Sequence, residues 1–111
     1  MFLIVLTSLL LAADDAATAK TCKSLSSLTL PAATITAAEP RTSGSFPHVT
    51  GVDLPGFCRV AATLTPTRES DIRIEVWLPL SGWNRKLQVV GNGGWSGSMP
   101  YSAVAAALRR G

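Results

Sequence analysis

The sequence predicts an incomplete α/β fold, and three observations carry that prediction. Ile72, Ile74, Val76 and Leu78 alternate with Asp71, Arg73, Glu75 and Trp77, the period-two pattern of a half-buried strand. Cys58, Val60, Ala62 and Leu64 repeat that period just upstream. An Ala-rich segment runs from Tyr101 to Arg110, and alanine is the best helix former.

The chain has 111 residues, 47% hydrophobic and 15% charged. That composition is unlike a disordered chain, and the length allows one domain at most. No apolar run reaches the eighteen or more residues of a membrane span. Met1 to Ala13 form an apolar block, followed by Ala17-Thr18-Ala19. The block has the size of a signal-peptide h-region, and Ala-Thr-Ala supplies a cleavage pattern. Residues 1–19 therefore read as an export signal and 20–111 as the mature chain, secreted or periplasmic. The n-region lacks Lys and Arg, and Asp14-Asp15 sits before the cut; a buried N-terminal helix or a misassigned start is the alternative.

Ten Lys and Arg stand against seven Asp and Glu. Only Arg85-Lys86 and Arg109-Arg110 are adjacent. A nucleic-acid surface needs a basic cluster and a reading element, and neither is present, so nucleic acid is excluded as a partner. The two cysteines, Cys22 and Cys58, read as a disulfide in an exported protein. Two unrelated buried thiols are the alternative. A redox or zinc site is ruled out by the spacing and by the single histidine, His48.

Residues 20–56 are rich in Ser, Thr, Ala, Pro and Gly. A short edge strand fits within Leu28–Ile35. The stretch from Ala37 to Gly56 reads as loop, broken by Pro40, Gly44, Pro47, Gly51, Pro55 and Gly56. From Cys58 the pattern becomes regular. Pro66 to Ser70 joins the two alternating runs as an antiparallel hairpin, with Ile72, Ile74, Val76 and Leu78 on the inner face. Pro79 to Asn84 is a turn, and Leu87 to Val90 reads as a third strand. It leads into Gly91-Asn-Gly-Gly-Trp-Ser-Gly97 and then, after Pro100, into the helix. Arg109 and Arg110 suit the negative end of a helix dipole, and Gly111 suits the residue after the cap. A helix after the third strand points to a parallel crossover into a fourth, which these residues do not contain. The expectation is a chain that stops mid-fold.

The glycine loop is the one constellation that suggests chemistry. It fails the dinucleotide fingerprint, because Ser96 occupies the sixth position and Gly97 comes one late, and no Lys-Ser/Thr follows for a phosphate loop. Strand, glycine loop and helix match the oxyanion loop of α/β-hydrolases. There, glycines let a backbone N–H approach a developing O⁻ unobstructed. An ordinary glycine-rich turn is the alternative. Gly94-Trp95-Ser96-Gly97-Ser98 departs from the nucleophile elbow: Ser96 lies several residues past the strand and Pro100 intervenes before the helix. A triad from Ser96, His48 and an unidentified carboxylate is not expected. Glu69 and Asp71 lie at a turn and a strand start, with no sign of a glycosidase pair. Trp77, Trp83 and Trp95 could line an aromatic pocket or fill a core, and of these only Trp95 sits in the glycine loop.

Four motifs in order then suggest a family: Leu54-Pro-Gly-Phe-Cys-Arg-Val60, Ser70-Asp-Ile-Arg-Ile-Glu-Val-Trp-Leu-Pro79, Trp83-Asn-Arg-Lys86 and Val90-Gly-Asn-Gly-Gly-Trp-Ser-Gly97. Over about residues 54–111, the chain resembles the N-terminal part of the tannase/feruloyl esterase family. The resemblance implies the first part of an α/β-hydrolase sheet: an antiparallel strand pair, a third strand, the glycine loop and a helix. It implies a secreted or periplasmic serine esterase that cleaves esters of aromatic acids of the galloyl or feruloyl type, the partner being a small aromatic ester. It implies that Cys22 and Cys58 pair, and that Gly93 or Gly94 lends a backbone N–H to the oxyanion hole. The family's Ser-Asp-His triad, lid domain and lid calcium lie downstream of the positions present here. The expectation is a fragment of a longer hydrolase, inactive alone and without a cofactor of its own. A small disulfide-tied exported β-rich binding or structural domain is the alternative.

Overall fold

The computed structural model describes residues 17–111. The expected export signal over 1–19 lies almost wholly outside the described residues. Helix α1 covers residues 17–24 and runs into a single 3₁₀ turn, Leu25–Ser27. Five strands follow: β1 (Ala33–Arg41), β2 (Gly44–Phe46), β3 (Val49–Leu54), β4 (Phe57–Leu64) and β5 (Ile72–Pro79). Helix α2 spans Tyr101–Arg109. The strands form two antiparallel sheets, β1-β4-β5 and β2-β3. Among the described residues no helix is long and apolar enough to cross a membrane.

The hairpin and the helix form where the sequence expects them. The stretch expected as loop does not: most of β1 and all of β2 and β3 lie between Ala37 and Gly56 or just before it. Three scattered apolar side chains there, Phe46, Val49 and Leu54, are buried, and burial outweighs a loop-like composition. Pro40 is tolerated because β1 is an edge strand, where a missing N–H interrupts no central ladder. The expected third strand at Leu87–Val90 is also corrected. These residues form no strand, and Leu87 and Val89 are 82% and 85% exposed. A segment becomes a strand only when its backbone finds a partner, and among the described residues no backbone hydrogen bond outside helices and strands involves residues 87–90.

By their contacts the chain divides into two units. The first holds the described residues up to Pro40 together with Cys58–Val76. Its centre is the sheet of β1, β4 and β5, with β4 in the middle. Thr65 N–H donates to Ala32 O at 2.8 Å and Thr36 Oγ1 to Ala61 O at 3.2 Å, so β4 descends as β1 ascends. The turn before β1 places Ala32 at φ +51°, next to Pro31. The Cys22–Cys58 disulfide ties α1 to β4, with 5.7 Å between the Cα atoms and both residues buried.

Residues 59 and 75 show which way the strands face. Arg59 of β4 makes a bidentate ion pair with Glu75 of β5, Nε to Oε2 at 3.0 Å and Nη2 to Oε1. Its Nη1 lies 3.6 Å from Glu39 Oε2 on β1. The Glu75 side chain is only 7% exposed. The expected inner face of β5 is therefore corrected: Ile72, Val76 and Leu78 are exposed, Ile74 is half-buried, and the Arg73-Glu75-Trp77 face holds the buried carboxylate. Alternation sets the period of a strand but not which face its neighbours cover.

The second unit holds Arg41–Phe57 and Trp77–Gly111. β2 and β3 pair antiparallel, Gly44 with Leu54 and Phe46 with Val49, around Pro47-His48. The register shifts between the two pairs. β3 carries the extra residues and includes Gly51 at φ +71°, a conformation open to glycine at little cost. α2 packs on β3. Ala105 and Leu108 join Phe46, Val49, Leu54 and Phe57 in the core, with Val52, Trp77 and Tyr101 against it.

Candidate functional site

The aromatic residues of the second unit form one cluster. Phe57 stacks on Trp77 at 4.4 Å, and Phe46 meets Trp77 edge-on at 4.7 Å. His48 stacks on Tyr101, ring centroids 4.7 Å apart and 12° between planes. Phe46 also lies 5.6 Å from Tyr101. Such pairs contribute beyond their burial, so Trp77 is a core residue and not pocket lining.

Asn84 fixes the far end of α2. Its backbone N–H donates to Gly111 O at 2.9 Å, and its Nδ2 to Arg110 O at 3.0 Å. Its Oδ1 accepts from Lys86 N at 2.9 Å. Trp83 Nε1 donates to Lys86 O at 3.1 Å. Gly111 sits at φ +87°, a conformation that favours glycine, and a Cβ there would crowd Gly82 O at 3.0 Å. The Trp83-to-Lys86 motif is thus a brace for the helix that follows the glycine loop. A signal for it existed in the sequence, since Asn commonly bonds local backbone.

The glycine loop, Gly91 to Gly97, lies exposed before α2. Gly94 and Gly97 take φ +58° and +62°. At Gly91, Gly93, Gly94 and Gly97 nothing lies within 4 Å of where a Cβ would stand. The loop braces itself: Ser96 Oγ donates to Gly93 O at 3.3 Å, Asn92 Nδ2 reaches Ser96 Oγ at 3.5 Å, and Ser96 and Ser98 hydroxyls are 3.2 Å apart. Trp95 is wholly exposed.

The structure does not bring Ser96 and His48 into a hydrogen bond. The Ser96 hydroxyl is bonded within its own loop, and the His48 ring faces Tyr101. Glu69 lies within 4.0 Å of Arg68 and Asp71 within 3.4 Å of Arg73, all well exposed, as solvated acids are. Among the described residues no group of three or more His, Cys, Asp or Glu side chains could hold a metal ion. The Arg59–Glu75–Glu39 group is the main polar constellation that sequence reasoning missed. Its signal was an arginine and a glutamate at matching positions of neighbouring strands.

No family model matches the chain. No solved structure matches it. The chain is homologous to an uncharacterized esterase of Xanthomonas campestris pv. campestris, with 41% identity over 93 residues. The alignment takes in 81% of this chain and 16% of that esterase.

Proposed function

We propose that this chain is the N-terminal portion of a secreted carboxylic ester hydrolase of the tannase/feruloyl esterase type, acting on esters of aromatic acids. The observation that carries the reading is the homology to an esterase in a chain whose glycine loop leads into a braced helix. In this reading the backbone N–H of Gly93 or Gly94 donates to the oxyanion of the tetrahedral intermediate. The absence of any Cβ leaves that approach open. The nucleophile, histidine and acid come from elsewhere in the longer protein. The disulfide and the leucine- and alanine-rich leader fit an exported enzyme.

Two assays test the reading. The 111-residue chain alone is expected to leave a chromogenic short-chain ester intact; turnover that disappears in Ser96→Ala would overturn the assignment of the nucleophile to another segment. In an active longer esterase carrying this segment, Gly93→Ala adds a methyl group where the structure has free space. It should lower kcat at least tenfold with an unchanged melting temperature. Unchanged kcat would remove the loop from the active site.

A further inference from the structure

We propose that His48 is a positioning residue for the glycine loop: by stacking on Tyr101 it fixes the point from which the loop hangs, and so sets where the Gly93 and Gly94 amides stand. The loop is held from its downstream end. Upstream, among the described residues, no backbone hydrogen bond outside helices and strands involves residues 87–98, and the tie at Gln88 is a bond between two exposed side chains. The bonds from Ser96 to Gly93 and from Asn92 to Ser96 are internal; they fix the loop's shape but not its place. Downstream the chain is firm. Tyr101 N–H donates to Met99 O at 2.9 Å, and the N–H groups of Ala103 and Val104 donate to Pro100 O at 3.0 and 3.1 Å. The Pro100 ring restricts its φ, here −82°. Only residues 98–100 separate Gly97 from a helix that packs on β3 and sends Ala105 and Leu108 into the core.

His48 holds the first residue of that helix. Phe46 and Val49 pair across the hairpin and are both buried, so the turn between them, Pro47-His48, is anchored on both sides. The turn leaves His48 exposed, with its ring laid on Tyr101 at 4.7 Å and 12°. Phe46 and Trp77 meet the same Tyr101 ring at 5.6 and 6.0 Å, tilted by 52° and 32°. His48 alone among these three covers it face to face. Burial of Ala105 and Leu108 holds α2 down on β3 but opposes sliding along its axis only weakly. A ring gripped at Tyr101 between the turn and the core opposes that slide, and the loop moves with Tyr101. The stack needs an aromatic face and no proton transfer, so another aromatic residue can supply it. What the loop does rests on the esterase reading above; the tie from His48 to the loop rests on the geometry alone.

Two measurements test it, on His48→Ala and His48→Phe. In the 111-residue chain, NMR backbone order parameters at residues 93–97 should fall in His48→Ala and return in His48→Phe. Unchanged order parameters in His48→Ala would overturn the proposal whatever the chain's activity. In an active longer esterase carrying this segment, assayed on a chromogenic short-chain ester, His48→Ala should lower kcat about tenfold with little change in KM, and His48→Phe should restore it. A kcat lost equally in both variants would overturn the proposal, since the imidazole and not the stack would then matter. So would an unchanged kcat in His48→Ala where Gly93→Ala in the same enzyme lowers it. If the order parameters respond while neither His48→Ala nor Gly93→Ala alters kcat, the tie to the loop stands and the esterase reading of the loop fails.

Discussion

Asn84 closes the C-terminal end of α2 through Arg110: its Nδ2 donates to Arg110 O at 3.0 Å, while its main-chain N–H reaches Gly111 O at 2.9 Å. The last carbonyls of a helix have no partner within the helix, and here a residue 26 positions earlier in the chain supplies one. Asn84→Ala keeps the main-chain bond and loses two side-chain bonds. It should cost about 1–2 kcal/mol, read as a lower urea midpoint at constant m-value. Asn84→Asp keeps the acceptor for Lys86 N but loses the donor to Arg110 O and sets a negative charge at the C-terminal end of the helix, so it should also destabilise.

Arg59 and Glu75 give a sharper prediction. Arg59→Ala removes the bidentate partner of a carboxylate that is only 7% exposed, which should cost about 3–5 kcal/mol. Replacing both partners with apolar residues, Arg59→Met with Glu75→Leu, should recover most of that loss. Thermal melts of the two variants against the parent decide it. A double variant no better than the single one would show that the pair itself supplies the stability.

Removal of the disulfide by Cys22→Ser with Cys58→Ser opens a loop spanning a sequence separation of 36. The loss should be about 2–4 kcal/mol, and reduction of the parent protein should reproduce it. The same melts should show amide protection lost first in residues 17–24, the helix that the bridge tethers to β4.

Phe46→Ala removes a ring that touches Phe57, Trp77, His48 and Tyr101. A deletion of this size in a core costs about 3–5 kcal/mol. In addition, Trp77 fluorescence should shift to longer wavelength as water reaches its ring.

Ala32 offers a change in the opposite direction. It holds φ +51° in the turn that opens β1, a conformation that costs a residue with a Cβ about 1–2 kcal/mol. Ala32→Gly relieves that strain and raises the entropy of the unfolded chain by a smaller amount. The expected outcome is a melting temperature equal to or above that of the parent.

Elements whose side chains declare a period were legible from the sequence. β4 and β5 carry apolar residues at every second position, and Tyr101–Arg109 is mostly alanine and leucine. β2 and β3 were not, because Gly44, Pro47 and Gly51 mask the few residues that matter, Phe46, Val49 and Leu54. The face of β5 was misjudged because Ile72, Val76 and Leu78 are as regular as a core face, and regularity does not say what lies opposite. Leu87–Val90 has strand composition but no strand partner. The position of the glycine loop could be read from its residues. The bonds that hold it, from Ser96 and Asn92, and the Asn84 bond that closes α2, depend on turns that no period announces.

The three charges on β1, β4 and β5 carry one more consequence. Glu39, Arg59 and Glu75 place one ionised group on each strand of the sheet. If β5 slid by one residue, Arg59 would face Ile74 or Val76, and Glu75 would turn to the other surface. Hydrophobic pairing alone would barely resist that slip, since the aliphatic residues of β5 are largely exposed on their own face. Misalignment is opposed instead by a guanidinium that would lose its carboxylates.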